Sequence, residues 1–253
     1  MRGSFMVFAV LLVGCASNST PDAQGPTKLR LSHVELDDRY GDPELRAEIV
    51  DSLAALRVRL RDIAPLDEFE PIEVKLFATR SKMASWARAE GISAFENIDR
   101  GGISGDFGAA LYYVGDHDTL RLARHEYVHQ YLRQNTDKQL PPFVEEGVAT
   151  MLDGGADTAR IELLRELEVV APIGDLIGTH AGQLGNRSMA ERSAWYAQAW
   201  AFAEFIERRY PDYWRTYFTR AGGFAALLTE RAKLDWPGIE SAYQVFVREE
   251  LID

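Results

Sequence analysis

The sequence predicts an α+β fold, with a small N-terminal sheet and its helices followed by a mostly helical half. Three observations carry this. Residues 71–78 alternate Ile72, Val74 and Leu76 against Glu73 and Lys75, the period of a half-buried strand. Residues 101–114 are glycine-rich with an apolar and aromatic run from Ala109 to Val114, which fits two short strands. From residue 119 onward the apolar spacing is helical in segment after segment.

In order along 253 residues, the chain opens on Arg2 and an apolar run from Phe5 to Val13, too short to span a bilayer as a helix. Residues 1–14 read as a signal peptide, and residues 15–27, rich in Ser, Asn, Pro and Gly, as a flexible tether. Residues 28–253 read as a single domain, α/β over 28–115 and helical over 116–253, with no internal repeat. Lys28 to Leu36 is strand-like. Asp42 caps a helix with Pro43 at its first position, and Leu45, Ile49, Leu53, Leu56, Leu60 and Ile63 form its apolar stripe. Ser81 to Glu90 is a short helix stopped by Gly91.

A helix is expected over 120–134, with Asp118 and Thr119 as candidate N-caps and Leu122, His125, His129 and Leu132 on one stripe. Gln134 to Gln139 is a polar turn, Pro141-Pro142 opens a second helix to about Leu152, and Gly154-Gly155 ends it. Thr158 to Leu167 is an amphipathic helix, and Ala171 to Thr179 a loop turning at Pro172. Ser188 to Arg209 is a long helix apolar on nearly every face, ended by Pro211, and two or three helices follow, the last around Ile239 to Leu251.

The net charge of −11 argues against nucleic acid as a partner, and no basic patch contradicts it. The chemistry concentrates in His125-Glu126-Tyr127-Val128-His129. On a helix, residues i and i+4 stand one above the other, so His125 and His129 can aim imidazole nitrogens at one metal. Glu126, about 100° round the helix, stands where a base can take a proton from water. Buried on a core-facing stripe, two histidines and a glutamate need a polar or metallic partner. An antiparallel return of the next helix brings Glu145 or Glu146 over the histidines as a third ligand, and Gly147 permits a close approach of the two helices. Two His and one carboxylate leave a coordination position open for water, unlike the closed, Cys-rich structural zinc sites.

With Phe143-Val144-Glu145-Glu146-Gly147-Val148-Ala149 downstream, this motif resembles the gluzincin metallopeptidases of the peptidase MA-like superfamily. The resemblance implies a zincin-like catalytic domain, one Zn²⁺ per chain and Glu146 as the third ligand. It implies Asp153 as a residue orienting a ligand or its neighbours; read by itself, Asp153 is a solvated helix end. Tyr196-Ala197-Gln198-Ala199-Trp200-Ala201-Phe202 resembles a helix downstream of the metal in these proteins. It implies Tyr196 as a catalytic hydrogen-bond donor, against the reading of a packed core tyrosine. In the family an extended peptide lies on a sheet edge before the metal helix; residues 101–114 could be that edge or an interior hairpin. The chain has no GxMEN-like segment for a free amino terminus, so the resemblance implies an endopeptidase. Leu12-Val13-Gly14-Cys15 resembles a bacterial lipobox, implying lipid on Cys15, the chain's only cysteine, and a membrane partner at the cell envelope. The expected function is a lipid-anchored zinc metallopeptidase acting on a peptide or protein. Two rivals stand beside it: a non-catalytic metal-binding or assembly module, and a hydrolase of non-peptide amides or esters. Of the other histidines, His33 and His117 read as surface residues, and His180, in a loop, is a candidate to reach the site.

Overall fold

The structure is a computed structural model that describes residues 27–66, 69–92, 101–135, 140–154, 158–167, 170–180, 183–184 and 186–252. The expected signal peptide, Cys15 and all of the expected tether except Thr27 lie outside the described residues, as do Gly155 and residues 136–139 of the expected turn. The fold is α+β, a five-stranded sheet in the N-terminal part and a mostly helical C-terminal half. No described helix is long and apolar enough to cross a membrane. Two compact units emerge, residues 27–60 with 66–134, and residues 61–65 with 135–252.

The first unit holds β1 (Thr27–Arg30), β2 (Val34–Arg39), α1 (Pro43–Ile63), β3 (Ile72–Phe77), α2 (Arg80–Ala89), β4 (Gly102–Gly105), β5 (Gly108–Tyr112) and α3 (Asp116–Asn135). The sheet order is β1-β2-β3-β5-β4. Its centre is parallel, β2 on β3 and β3 on β5, while β1 and β4 pair antiparallel to their neighbours at the two ends. The stretch expected as one strand from Lys28 is a hairpin, because the chain reverses at residues 31–33, where Leu31 N–H donates to Val34 O at 2.8 Å. Residues 102–105 and 108–112 are the two expected short strands, and among the described residues β4 ends the sheet.

Local chemistry accounts for the helix starts. The Asp42 carboxylate accepts the N–H groups of Glu44 and Leu45 at 2.9 and 3.0 Å, and the six stripe residues of α1 are all buried. Thr79 caps α2 by accepting from Lys82 N–H. Because strand side chains alternate, Phe77, Ile103 and Ala110 meet Met83, Trp86 and Ala87 of α2 on one face of the sheet. The other parity, Gly102 among it, meets α3.

The second unit holds α4 (Pro142–Leu152), α5 (Thr158–Glu166), α6 (Ile173–Gly178), α7 (Met189–Arg209), α8 (Tyr213–Thr219), α9 (Phe224–Ala232) and α10 (Trp236–Phe246), which continues as a π-helical turn to Ile252. The expected loop at 171–179 contains the short helix α6, with Pro172 at its N-cap. A capping box starts α7: Ser188 Oγ accepts from Glu191 N–H, and the Glu191 carboxylate accepts from Ser188 N–H at 2.8 Å. The core joins Phe143 of α4 to Phe202 of α7 and Phe224 of α9, and Tyr243 of α10 to Phe202 and Phe205. At Gly147 the backbones of α4 and α7 nearly touch, since a Cβ there would stand 2.7 Å from Ala199 O.

Candidate metal centre

The segment His125 to His129 lies at the middle of α3, where every one of its residues is buried. The helix starts four residues earlier than the sequence suggested. Thr119 and Asp118 therefore fall inside its first turn, and Thr119 Oγ1 accepts from Val114 N–H at 3.0 Å, fixing the turn out of β5. Neither residue is the N-cap.

Three faces of α3 do different work. Leu122, Glu126 and Gln130, four residues apart, face the β4–β5 hairpin: Gly101 and Gly102 abut Leu122 and Glu126, and Gln130 Nε2 donates to the carbonyls of Gly105 and Gly108. Tyr127 and Tyr131 face the start of the sheet and α1. The Tyr127 hydroxyl donates to His33 O at 3.1 Å, and Tyr131 packs its ring 5.5 Å from Phe69. Burial pushes the Tyr127 hydroxyl well above the ordinary tyrosine range, so it stays a neutral donor. On the third face, His125 and His129 turn their Nε2 atoms toward each other at 3.0 Å, the rings nearly perpendicular with centroids 4.7 Å apart.

Glu146 completes a group: one ligand atom each from His125, His129 and Glu146 lie within 4.8 Å of one another, and all three residues are buried. The donor set fits a metal ion. Bonds of about 2.0–2.1 Å at tetrahedral angles set neighbouring nitrogens roughly 3.3 Å apart, close to the Nε2 spacing found. Burying two imidazoles and a carboxylate at 1, 1 and 0 % exposure is costly in an apolar core, and an ion is one partner that offsets it. Of the two candidate third ligands, the group contains Glu146; Glu145 is also buried, at 9 % exposed.

The other expected site residues fall as follows. Glu126 is wholly buried beside Gly102. Asp153 is not a solvated helix end: it is 1 % exposed and accepts from Arg160 Nη2 at 2.6 Å, with that guanidinium 5.8 Å from the Trp200 ring centroid. Gly154 follows it at φ 75°, the left-handed position that ends α4. Tyr196 is half-buried on α7, its ring edge-on to Trp195. His33 is buried, against expectation, because its ring bonds Val50 O of α1 at 3.3 Å and its carbonyl accepts from Ile72 N–H and the Tyr127 hydroxyl. His117, in the first turn of α3, is exposed, and so is His180.

Sequence reasoning missed Gly102 and Gln130. Gln130 stood four residues after Glu126, which puts it on the same face, but a hairpin that the helix leans on has no mark in the local pattern. Set against known proteins, the chain matches no family model, no curated protein and no solved structure.

Proposed function

We propose that this chain is a zinc-dependent metallohydrolase, an endopeptidase held at a bacterial cell envelope by lipid on Cys15. The observation that carries the reading is the buried group of His125, His129 and Glu146 with the wholly buried Glu126 in the same motif. Two imidazoles and one carboxylate leave a coordination position vacant, which suits catalysis better than a structural site, and imidazole donors suit zinc. Zinc held there would supply Lewis acidity toward a carbonyl oxygen and bring the pKa of a water down to about 7. Glu126 accepts the proton of the attacking water on a carboxylate oxygen and passes it to the departing nitrogen. The Tyr196 hydroxyl donates to the oxyanion that forms on the carbonyl. A peptide substrate is favoured because β4, which ends the sheet among the described residues, runs beside Glu126, where an extended chain can add as a further strand. A pure binding module would have no use for Glu126.

The test is a peptide-library cleavage profile and zinc analysis of wild type beside Glu126→Gln. Wild type should hold one zinc and cleave; Glu126→Gln should hold zinc and lose roughly a hundredfold or more of its activity. His125→Ala and His129→Ala should lose the metal, and Glu146→Ala should weaken its binding far more than Glu145→Ala. Cleavage by Glu126→Gln at the wild-type rate would refute the mechanism. The anchor is tested by mass spectrometry of the mature N-terminal peptide from the membrane fraction, where an unmodified Cys15 would refute it.

A further inference from the structure

Glycine at 102 is there for room. Its φ lies outside the left-handed region, so a side chain would meet no backbone strain. A Cβ there would instead stand 3.1 Å from Glu126 Cγ, 3.1 Å from Glu126 Oε1 and 3.1 Å from Leu122 Cδ1. Such contacts are tighter than ordinary packing, and the neighbour must give by a few tenths of an ångström. One residue earlier, a Cβ at Gly101 would meet Leu122 Cδ2 at 2.5 Å. At the hairpin's far end Gln130, one turn along from Glu126, donates to Gly105 O at 3.0 Å and Gly108 O at 3.1 Å. The strand is thus bonded to the helix at one end and lies on it through bare backbone at the other.

We infer that Gly102 is a positioning residue for Glu126: the missing Cβ lets the end strand lie against the carboxylate's Cγ and Oε1 and fixes where it points. The kinetic side of this rests on Glu126 being the base proposed above. A carboxylate walled on one side by main chain has fewer rotamers to sample, and moving it by tenths of an ångström spoils its alignment with the water it deprotonates.

The experiment has two arms on the full chain. In the metal-free chain, melting temperatures are measured for wild type, Gly102→Ala, Glu126→Ala and the double variant. Gly102→Ala should lower the melting temperature by several degrees with Glu126 present and by much less with Ala at 126, because the crowded atoms are then gone. In the zinc-loaded chain, Gly102→Ala should lower kcat by about tenfold, with KM within about twofold and zinc content unchanged. Equal melting losses in both backgrounds overturn the inference, since the methyl would then be pressing on Leu122 or the strand alone. If Gly102→Ala does not fold, recovery of folding by Glu126→Ala supports the inference and failure to recover overturns it. Wild-type kcat in Gly102→Ala while Glu126→Gln is inactive overturns this inference and leaves the base assignment standing. A fully active Glu126→Gln removes the base assignment and, with it, the kinetic half of the inference.

Discussion

Gly147→Ala measures how far α4, which carries Glu146, depends on close backbone contact. The added Cβ would lie 2.7 Å from Ala199 O, 3.3 Å from Ala199 C and 3.3 Å from Ala203 Cβ, where ordinary contact begins near 3.4 Å. The nearest obstacle is a carbonyl oxygen inside α7, which cannot rotate away, so α4 and α7 must part locally by roughly 0.7 Å. Overpacking of this kind costs about 1–3 kcal/mol, and a backbone obstacle belongs at the upper end. Alanine recovers about 1 kcal/mol through its better helix propensity. The net loss is about 2 kcal/mol, or a melting temperature lower by roughly 4–8 °C in a chain of this size. Glu146 is the adjacent residue and moves with the backbone, so zinc affinity, read by competition with a chelator, should fall about ten- to a hundredfold. A metal-free Gly147→Ala that melts at or above wild type would mean that helix propensity is the only term, and the close approach would be refuted.

Arg160→Ala removes the guanidinium that the 1 %-exposed Asp153 accepts from and should cost about 3–5 kcal/mol in denaturant unfolding, whereas Asp153→Asn with Arg160→Met should recover most of that; a single-variant loss under 1 kcal/mol would show the pair to be dispensable. Tyr196→Phe removes only the hydroxyl and should lower turnover by roughly a hundredfold or more, with zinc content and melting temperature unchanged; wild-type turnover would return Tyr196 to the role of a packing residue. Alkaline stability follows from the tyrosines. Burial first, then the nearby Asp116 carboxylate, pushes the Tyr113 hydroxyl up to about 12, so between pH 10 and 12 the unfolded chain gives up a proton that the folded chain keeps. Burial also raises Tyr127, Tyr213 and Tyr243. The tyrosine contribution is therefore complete below pH 10 and is lost as pH rises through the folded values. Tyr113→Phe should flatten the fall between pH 10 and 12, and an unaltered pH profile there would count against the Tyr113 shift.

The sequence was most legible where a cap or a strong period announced an element. Asp42-Pro43 marked α1, Pro141-Pro142 marked α4, and the apolar run of Ser188 to Arg209 marked α7, each within about a residue. The hairpin of β1 and β2 was not legible, since Leu31-Ser32-His33 carries no Gly or Pro to signal its turn. His33 looked like a surface residue because its partners, Val50 and Tyr127, stand 17 and 94 residues away. At the site, HExxH spacing was enough to locate His125 and His129, because helix geometry alone brings i and i+4 together. Asp153 had two readings at the sequence level because its partner Arg160 lies on another helix. Gly102 was hidden for the same reason: what matters there is an absent atom and the side chain it would have struck.

The carbonyl of His33 accepts from Ile72 N–H, which opens β3, and from the Tyr127 hydroxyl, at the centre of α3. A single oxygen thus fastens the first turn of the sheet, its middle strand and the helix that carries His125 and His129. These segments are spread over almost a hundred positions of chain, so the fastening should form only once the long loops between them have closed. Local opening of α3 should be rare for the same reason, and its central amides should exchange with deuterated solvent only as the sheet itself comes apart. The geometry of the two imidazoles would then be as durable as the slowest-opening part of this unit, whether or not an ion is bound.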